Sequence, residues 1–237
     1  HSAKFSPDGK YIVSAENGST IMLWDVELGK CIKTFEWHAG EVMSVSFSYD
    51  GQYIVSASRD NTIKLWDVET RQCIKTFEGH TEEVMSVSFS SDGQYIVSGS
   101  ADETIKLWSV ESGECVKTFE GHIWQSQVVN SVAFTPDGRY VVSSAWKSPI
   151  KLWDLESSEC IKTFHGPTWD DINCVVISPN NKNIVSVSNS ENIRLWDVET
   201  GECRLFEGHT SGVDCAVFSP DGKYIVSASW DKTVKLW

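Results

Sequence analysis

The chain has 237 residues, 41% hydrophobic and 22% charged, with a formal net charge of −13. That length supports a single large core, while so acidic a surface repels phosphate backbones and disfavours anionic membranes, leaving basic protein segments as the favoured partners. No apolar stretch approaches the roughly 20 residues of a membrane-spanning helix and no signal sequence opens the chain, so a cytoplasmic protein is expected.

In chain order, a tryptophan closing an Ile-Lys-Leu-type run recurs at Trp24, Trp66, Trp108, Trp153, Trp196 and Trp237, with separations of 42, 42, 45, 43 and 41 residues. This is one unit written six times. Residues 42–80 and 84–122 are identical at 30 of 39 positions. Within each unit, four runs rich in Val, Ile, Tyr, Phe and Thr are separated by Asp-Gly, Ser-x-Asp and Glu-Ser-Gly-Glu turn signals, which predicts a four-stranded antiparallel meander. With strands named a to d from the axis outward, the second unit has a near 42–47, b near 52–57, c near 62–67 and d near 73–77. The period then sets units near 1–36, 42–77, 84–119, 128–164, 171–206 and 212–237.

Tyr53, Ile54 and Val55 run without a polar break, so the sheets are apolar on both faces and each must be covered twice. Radial stacking does this. The expectation is an all-β, six-bladed β-propeller forming a single domain over 1–237. His1 already lies within strand a and Trp237 ends a strand c, so the last blade should have three strands and an open edge able to pair with another chain. The absence of an initiating Met suggests a piece of a longer protein, and one further unit would make seven blades, the alternative architecture.

The punctuation of the units carries a resemblance. Gly79-His80, Gly121-His122 and Gly208-His209 precede strand a, Ser-Pro-Asp-Gly or Ser-Asp-Gly follows it, Ser-x-Asp follows strand b, and Trp-Asp closes strand c. Over its whole length the chain resembles the WD-repeat family of β-propellers. The resemblance implies a scaffold for protein interactions, rarely an enzyme.

Ser, His and Asp together could suggest nucleophilic catalysis, but the combination recurs: His38, Ser58, Asp60 and Trp66; His80, Ser100, Asp102 and Trp108; His209, Ser229, Asp231 and Trp237. A nucleophile needs one strained, exposed position. Three copies point instead to a structural hydrogen-bond relay, running from the indole N–H through Ser and His to Asp, as the family resemblance also implies. Blade 1, with Glu16 and Gly18, blade 4, with Ala145 and Lys147, and blade 5, with Ser190 and Pro167, are expected to lack it.

Cys31, Cys73, Cys115, Cys160 and Cys203 keep the repeat spacing at the start of strand d, and Cys174 and Cys215 fall in strand a. With no Cys-x-x-Cys and an odd total, all seven read as buried free thiols, with no metal site. No phosphate-binding loop or His-Glu-x-x-His appears, and no cofactor is expected. Asn17-Gly18-Ser19 reads as a turn rather than a glycosylation site.

Five tryptophans lie outside strand c: Trp37, Trp124, Trp146, Trp169 and Trp230. All fall in d–a or b–c loops, which a propeller places on one side. Aromatic loops of this kind are candidate hot spots. Glu41, Glu83 and Asp171 precede strand a on the same side. Met43, Met85, Asn130, Asn173 and Asp214 occupy the second position of that strand. The family resemblance implies that this ring contacts peptides together with the residue before the b–c Asp, here Arg59, Ala101 and Trp230, with Trp146 and Asn189 at the matching sites. Carboxylates beside aromatic faces suit Lys or Arg side chains. The expected function is a non-enzymatic scaffold binding basic peptides or partner proteins, with no nucleic acid and no membrane. The alternative is a regulatory sensor propeller within a larger signalling protein.

Overall fold

The computed structural model describes residues 2–16, 18–122, 128–166 and 171–237. They form strands throughout, in chain order β1 (Ser2–Phe5), β2 (Tyr11–Ala15), β3 (Thr20–Asp25), β4 (Lys30–Glu36), β5 (Val42–Phe47), β6 (Tyr53–Ser58), β7 (Ile63–Asp67), β8 (Cys73–Phe77), β9 (Val84–Phe89), β10 (Tyr95–Ser100), β11 (Thr104–Ser109) and β12 (Cys115–Glu120). The second half continues with β13 (Val129–Phe134), β14 (Tyr140–Ala145), β15 (Ile150–Asp154), β16 (Cys160–Phe164), β17 (Ile172–Ile177), β18 (Asn183–Ser188), β19 (Ile193–Asp197), β20 (Cys203–Phe206), β21 (Val213–Phe218), β22 (Ile225–Ser229) and β23 (Val234–Leu236). Consecutive strands pair antiparallel into six propeller blades, five of four strands and a last one of three, β21-β22-β23.

Two compact units divide the chain at Glu120 and Gly121, each holding three blades. Within the first unit, blade 2 packs Trp66 and Ile54 against Val13, Leu23 and Phe35 of blade 1. Its other face sets Val55, Ile63 and Leu65 against Val84, Val87 and Phe89 of blade 3. The second unit repeats the arrangement, with Val142, Ile150 and Leu152 on Val175 and Ile184, then Val185, Val187 and Ile193 on Val213 and Ala216. The middle sheet of each unit, blade 2 and blade 5, is therefore sandwiched by its neighbours, which is why its strands need apolar residues on both faces. Burying a side chain of this size contributes about 1.5–3 kcal/mol.

The turn sequences have specific duties. In the a–b turn, Ser48 Oγ donates to Asp50 Oδ1 at 2.6 Å while accepting from Tyr53 N, and Asp50 accepts from Gln52 N. Gly51 sits at φ 73°, which glycine adopts without cost. The Asp of Trp-Asp governs the c–d turn: Asp67 Oδ1 accepts from Thr70 N at 2.6 Å and Thr70 Oγ1 at 2.9 Å, and these bonds hold its carboxyl below the usual range. Lysines of strand d then clasp the next blade. Lys75 Nζ donates to the carbonyls of Val110 and Glu111, and Lys162 Nζ to those of Val198 and Glu199, at 2.6–2.7 Å.

Strand d carries a correction to the cysteine expectation. In strand d, Cys31, Cys115, Cys160 and Cys203 are exposed and Cys73 is partly buried; in strand a, Cys215 is exposed and Cys174 partly buried. Strand d is the edge of its sheet, paired on one side only, so the thiol that opens it faces outward. In four blades the c–d pairing also shifts by one residue at the tryptophan, as between Leu65 and Trp66. Blade 5 has one residue fewer, Cys-Arg-Leu-Phe in place of Cys-Ile-Lys-Thr-Phe, and its pairing runs straight from Leu195↔Arg204 to Trp196↔Cys203.

Candidate functional site: the d–a and b–c loops

The loops rest on the relay. In blade 2, Trp66 Nε1 donates to Ser56 Oγ at 2.8 Å, His38 Nε2 lies 2.8 Å from the same oxygen, and His38 Nδ1 lies 2.7 Å from Asp60 Oδ2. Because the Asp60 carboxylate can only accept, the neutral imidazole carries its proton on Nδ1, and Nε2 accepts from the Ser56 hydroxyl, which itself accepts from the indole. The serine is therefore Ser56, not Ser58. Blades 3 and 6 likewise use Ser98 and Ser227, not Ser100 and Ser229, with His80–Asp102 and His209–Asp231 at 2.7 Å and Trp108 and Trp237 as the indole donors.

The reason is register. Trp66 faces Ile54 directly across the pair, so the diagonal neighbour on its own face is Ser56, opposite Lys64. Ser58, two residues on, lies on that face too but at the strand end, where its Oγ accepts from Asp60 N at 3.1 Å and shapes the b–c turn. Ser100 and Ser229 do the same for Asp102 and Asp231.

Blade 4 corrects the expectation that it lacks the relay. Trp153 Nε1 donates to Ser143 Oγ, His122 Nε2 meets that oxygen at 2.8 Å, and His122 Nδ1 faces Ser148 Oγ at 2.9 Å. The left-handed residue of its b–c turn is Lys147, one position earlier in the repeat than Asn61, and this turns Ser148 inward. Blades 1 and 5 keep the first link alone among the described residues, Trp24 to Ser14 and Trp196 to Ser186. Pro167 lies outside the described residues.

Burial lowers the imidazole pKa of His38 despite its Asp60 partner, and burial with Lys151 nearby pushes His122 down to about 3. For Asp60 burial alone would raise the pKa, but hydrogen bonds from Thr62 and His38 outweigh it and bring the carboxyl down to about 2. Asp102 is lowered in the same way by His80 and Thr104. In blade 2 the relay is thus a neutral histidine donating to a carboxylate, built to hold a loop.

The glycine of Gly-His is a packing requirement. Gly79, Gly121 and Gly208 sit at φ 147°, 158° and 156°, and a Cβ there would stand 3.2, 2.7 and 2.9 Å from the Cη2 of Trp108, Trp153 and Trp237. Before His38 the chain instead has Trp37, which is 70% exposed.

On this frame, blades 2 to 6 each make one cluster from three positions. The amide of the b–c residue bonds the carbonyl just before strand a: Arg59 to Glu41, Ala101 to Glu83, Trp146 to Val128, Asn189 to Asp171 and Trp230 to Gly212. Between them stand Met43, Met85, Asn130, Asn173 and Asp214. Each is the extra residue of a β-bulge, skipped where Val42↔Ser58 is followed by Ser44↔Ala57 and its equivalents. A bulge re-aims its side chain and strengthens local twist, and such sites collect at functional edges. The sequence reading selected these positions but missed the bulge; its signal is the two-for-one count between strand a and the fixed b–c turn.

The clusters differ in chemistry. In the first unit Arg59 Nε lies 3.0 Å from Glu41 Oε2, 3.8 Å from Glu83 Oε2 and 3.3 Å from Met43 Sδ, so one guanidinium answers two of the carboxylates. In the second unit Asn173 Nδ2 donates to Asn189 Oδ1 and to the carbonyl of Val213, both at 3.0 Å, while Asn130 donates to the carbonyl of Ile172 and accepts from Ser144. Both amides are thus committed to ties within and between blades. Trp230 is 70% exposed and its indole N–H donates to Asp214, itself exposed; Trp146 is 46% exposed. Trp124 and Trp169 lie outside the described residues. Among the described residues no group of His, Cys, Asp and Glu has the arrangement of a metal site.

A family model described as the first beta-propeller of IFT122 matches residues 1–117. The model of the WD domain, G-beta repeat, matches residues 113–154, 158–197 and 201–237, half of the chain. No curated protein matches. The chain belongs to the WD-repeat family of β-propellers.

Proposed function

We propose that this chain is a non-enzymatic scaffold that docks peptides or partner proteins carrying basic segments through the Trp-rich, acidic surface of its d–a and b–c loops. WD-repeat propellers are generally protein-interaction scaffolds. The observation that carries the reading is the Trp230–Asp214 pair. The indole is exposed over most of its surface, yet its N–H is tied to a carboxylate re-aimed by the β21 bulge. An aromatic face held beside a negative charge is already organised for a Lys or Arg head, combining cation–π attraction with ion pairing at little ordering cost. Trp37 and Trp146 extend the aromatic character of the loops in the first and second unit respectively. The net charge of −13 favours the same partners and disfavours nucleic acid. Four copies of the His–Ser arrangement support a structural rather than a catalytic role for it. Among the described residues no helix is long and apolar enough to cross a membrane.

The outer edge of β23 is a further place where a strand from another chain could add. A second reading, a sensor propeller within a larger signalling protein, is favoured by the match to a model named as a first propeller.

The test is selection of a randomised peptide library on the full chain, beside Trp230→Ala and Asp214→Asn variants. Enrichment of Lys and Arg on the parent that disappears with both variants supports the reading. Selection of acidic or purely apolar peptides, or identical enrichment on all three proteins, rejects it.

A further inference from the structure

Strand a has a repeated duty at the repeat position that follows the bulge in blades 2 to 6. In blades 1, 2 and 4 that position is a serine whose hydroxyl oxygen accepts from the next blade's strand a: Ser2 from Val45 N at 3.4 Å, Ser44 from Val87 N at 3.3 Å and Ser131 from Val175 N at 3.1 Å. Blades 5 and 6 depart from this together. They carry Cys174 and Cys215, and the two sulfurs lie 3.8 Å apart across the seam between β17 and β21.

We infer that Cys174 and Cys215 form a thiol–disulfide site that cross-links the inner strands of blades 5 and 6. The paired replacement brings two thiols to one seam. A thiol there reproduces the serine's bond poorly, since sulfur is a weak acceptor, and Cys174 Sγ instead approaches Ala216 O at 3.9 Å. The remaining five cysteines sit one per blade at the outer strands, so no comparable pair arises among them.

The chemistry divides by exposure. Cys215 is exposed and Cys174 partly buried, so a low-molecular-weight disulfide is attacked first by the Cys215 thiolate. That step forms a mixed disulfide and expels one small thiolate, which takes up the proton lost by Cys215. The Cys174 thiolate then attacks the Cys215 sulfur and releases the second small thiol. The protein loses two hydrogens and the small disulfide is reduced to two thiols. Because Cys174 follows Asn173 and Cys215 follows Asp214, closure fixes the spacing of two neighbouring bulges. The inference stands whether or not those bulges dock a partner.

Oxidised glutathione tests it on the full chain, followed by alkylation, trypsin and mass spectrometry. Cleavage after Lys162, Lys182, Arg204 and Lys223 leaves each cysteine alone in its own peptide. The expected product is a linked pair of those two peptides. Cys174→Ser should instead accumulate glutathione on Cys215, whereas Cys215→Ser should leave Cys174 largely alkylated; circular dichroism shows whether each variant keeps its sheet. Recovery of both parent peptides unlinked, whether alkylated or each bearing glutathione, overturns the inference, as does linkage of either cysteine to one of strand d.

Discussion

His122 Nδ1 lies 2.9 Å from the hydroxyl of Ser148, where the histidines of blades 2, 3 and 6 face a carboxylate. Without a negative partner, the buried imidazole is held neutral down to about pH 3. An unfolded histidine takes up its proton near pH 6.5. Between those values the unfolded chain binds more protons, so stability falls as the pH drops from about 6.5 toward 3, by up to about 1.4 kcal/mol per pH unit. Urea denaturation across that range should show the slope, and Ser148→Asp, by supplying the carboxylate, should flatten it. An unchanged slope in a folded Ser148→Asp protein would mean that His122 is not its source.

Asp60 has the same sign over a lower pH window. Its folded pKa of about 2 lies below the ordinary carboxylate value, so its contribution is complete above about pH 4 and disappears as the pH falls through the folded value. Asp60→Asn should therefore lower the urea midpoint at neutral pH, with the gap to the parent narrowing in acid. A gap that stays constant to the acid limit argues against the His38–Asp60 link.

The two serines of strand b in blade 2 should separate clearly. Ser56→Ala strands both the Trp66 indole and His38 Nε2, two buried groups left unmatched, and should cost about 2–4 kcal/mol. Ser58→Ala removes one turn bond and should cost about 1 kcal/mol. Equal losses measured by chemical denaturation would contradict the relay as described.

Gly121→Ala should destabilise by more than about 1 kcal/mol, since the new Cβ meets the Trp153 ring at 2.7 Å in a conformation open to glycine alone. Glu103, at φ 68° in the b–c turn of blade 3, is the converse. Glu103→Gly should stabilise by up to about 1 kcal/mol. Thermal melts of the two variants should move in opposite directions.

The repeat spacing made the blades and their strands readable, because a tryptophan and its flanking β-branched run can be satisfied only once per meander. What escaped the sequence was which of two residues on one strand face completes a contact. Ser56 and Ser58 alternate identically, and only the diagonal offset from Trp66 chooses between them. The relay of blade 4 escaped because a one-residue shift of a left-handed turn delivers Ser148 where Asp was sought. The cysteines were misplaced because repetition was read as burial, although strand d is an edge. Exposure of Trp37, Trp146 and Trp230 accords with their loop positions, whereas the commitment of Asn130 and Asn173 to blade-to-blade ties could emerge only from coordinates.

The most direct measurement is the dissociation constant of a Lys- or Arg-rich peptide selected on the chain, compared between the parent and Trp230→Ala. The docking account predicts at least about tenfold weaker binding, the size of loss expected of an aromatic hot spot, with an unchanged melting temperature. Affinities within about twofold of each other in two equally stable proteins would contradict it.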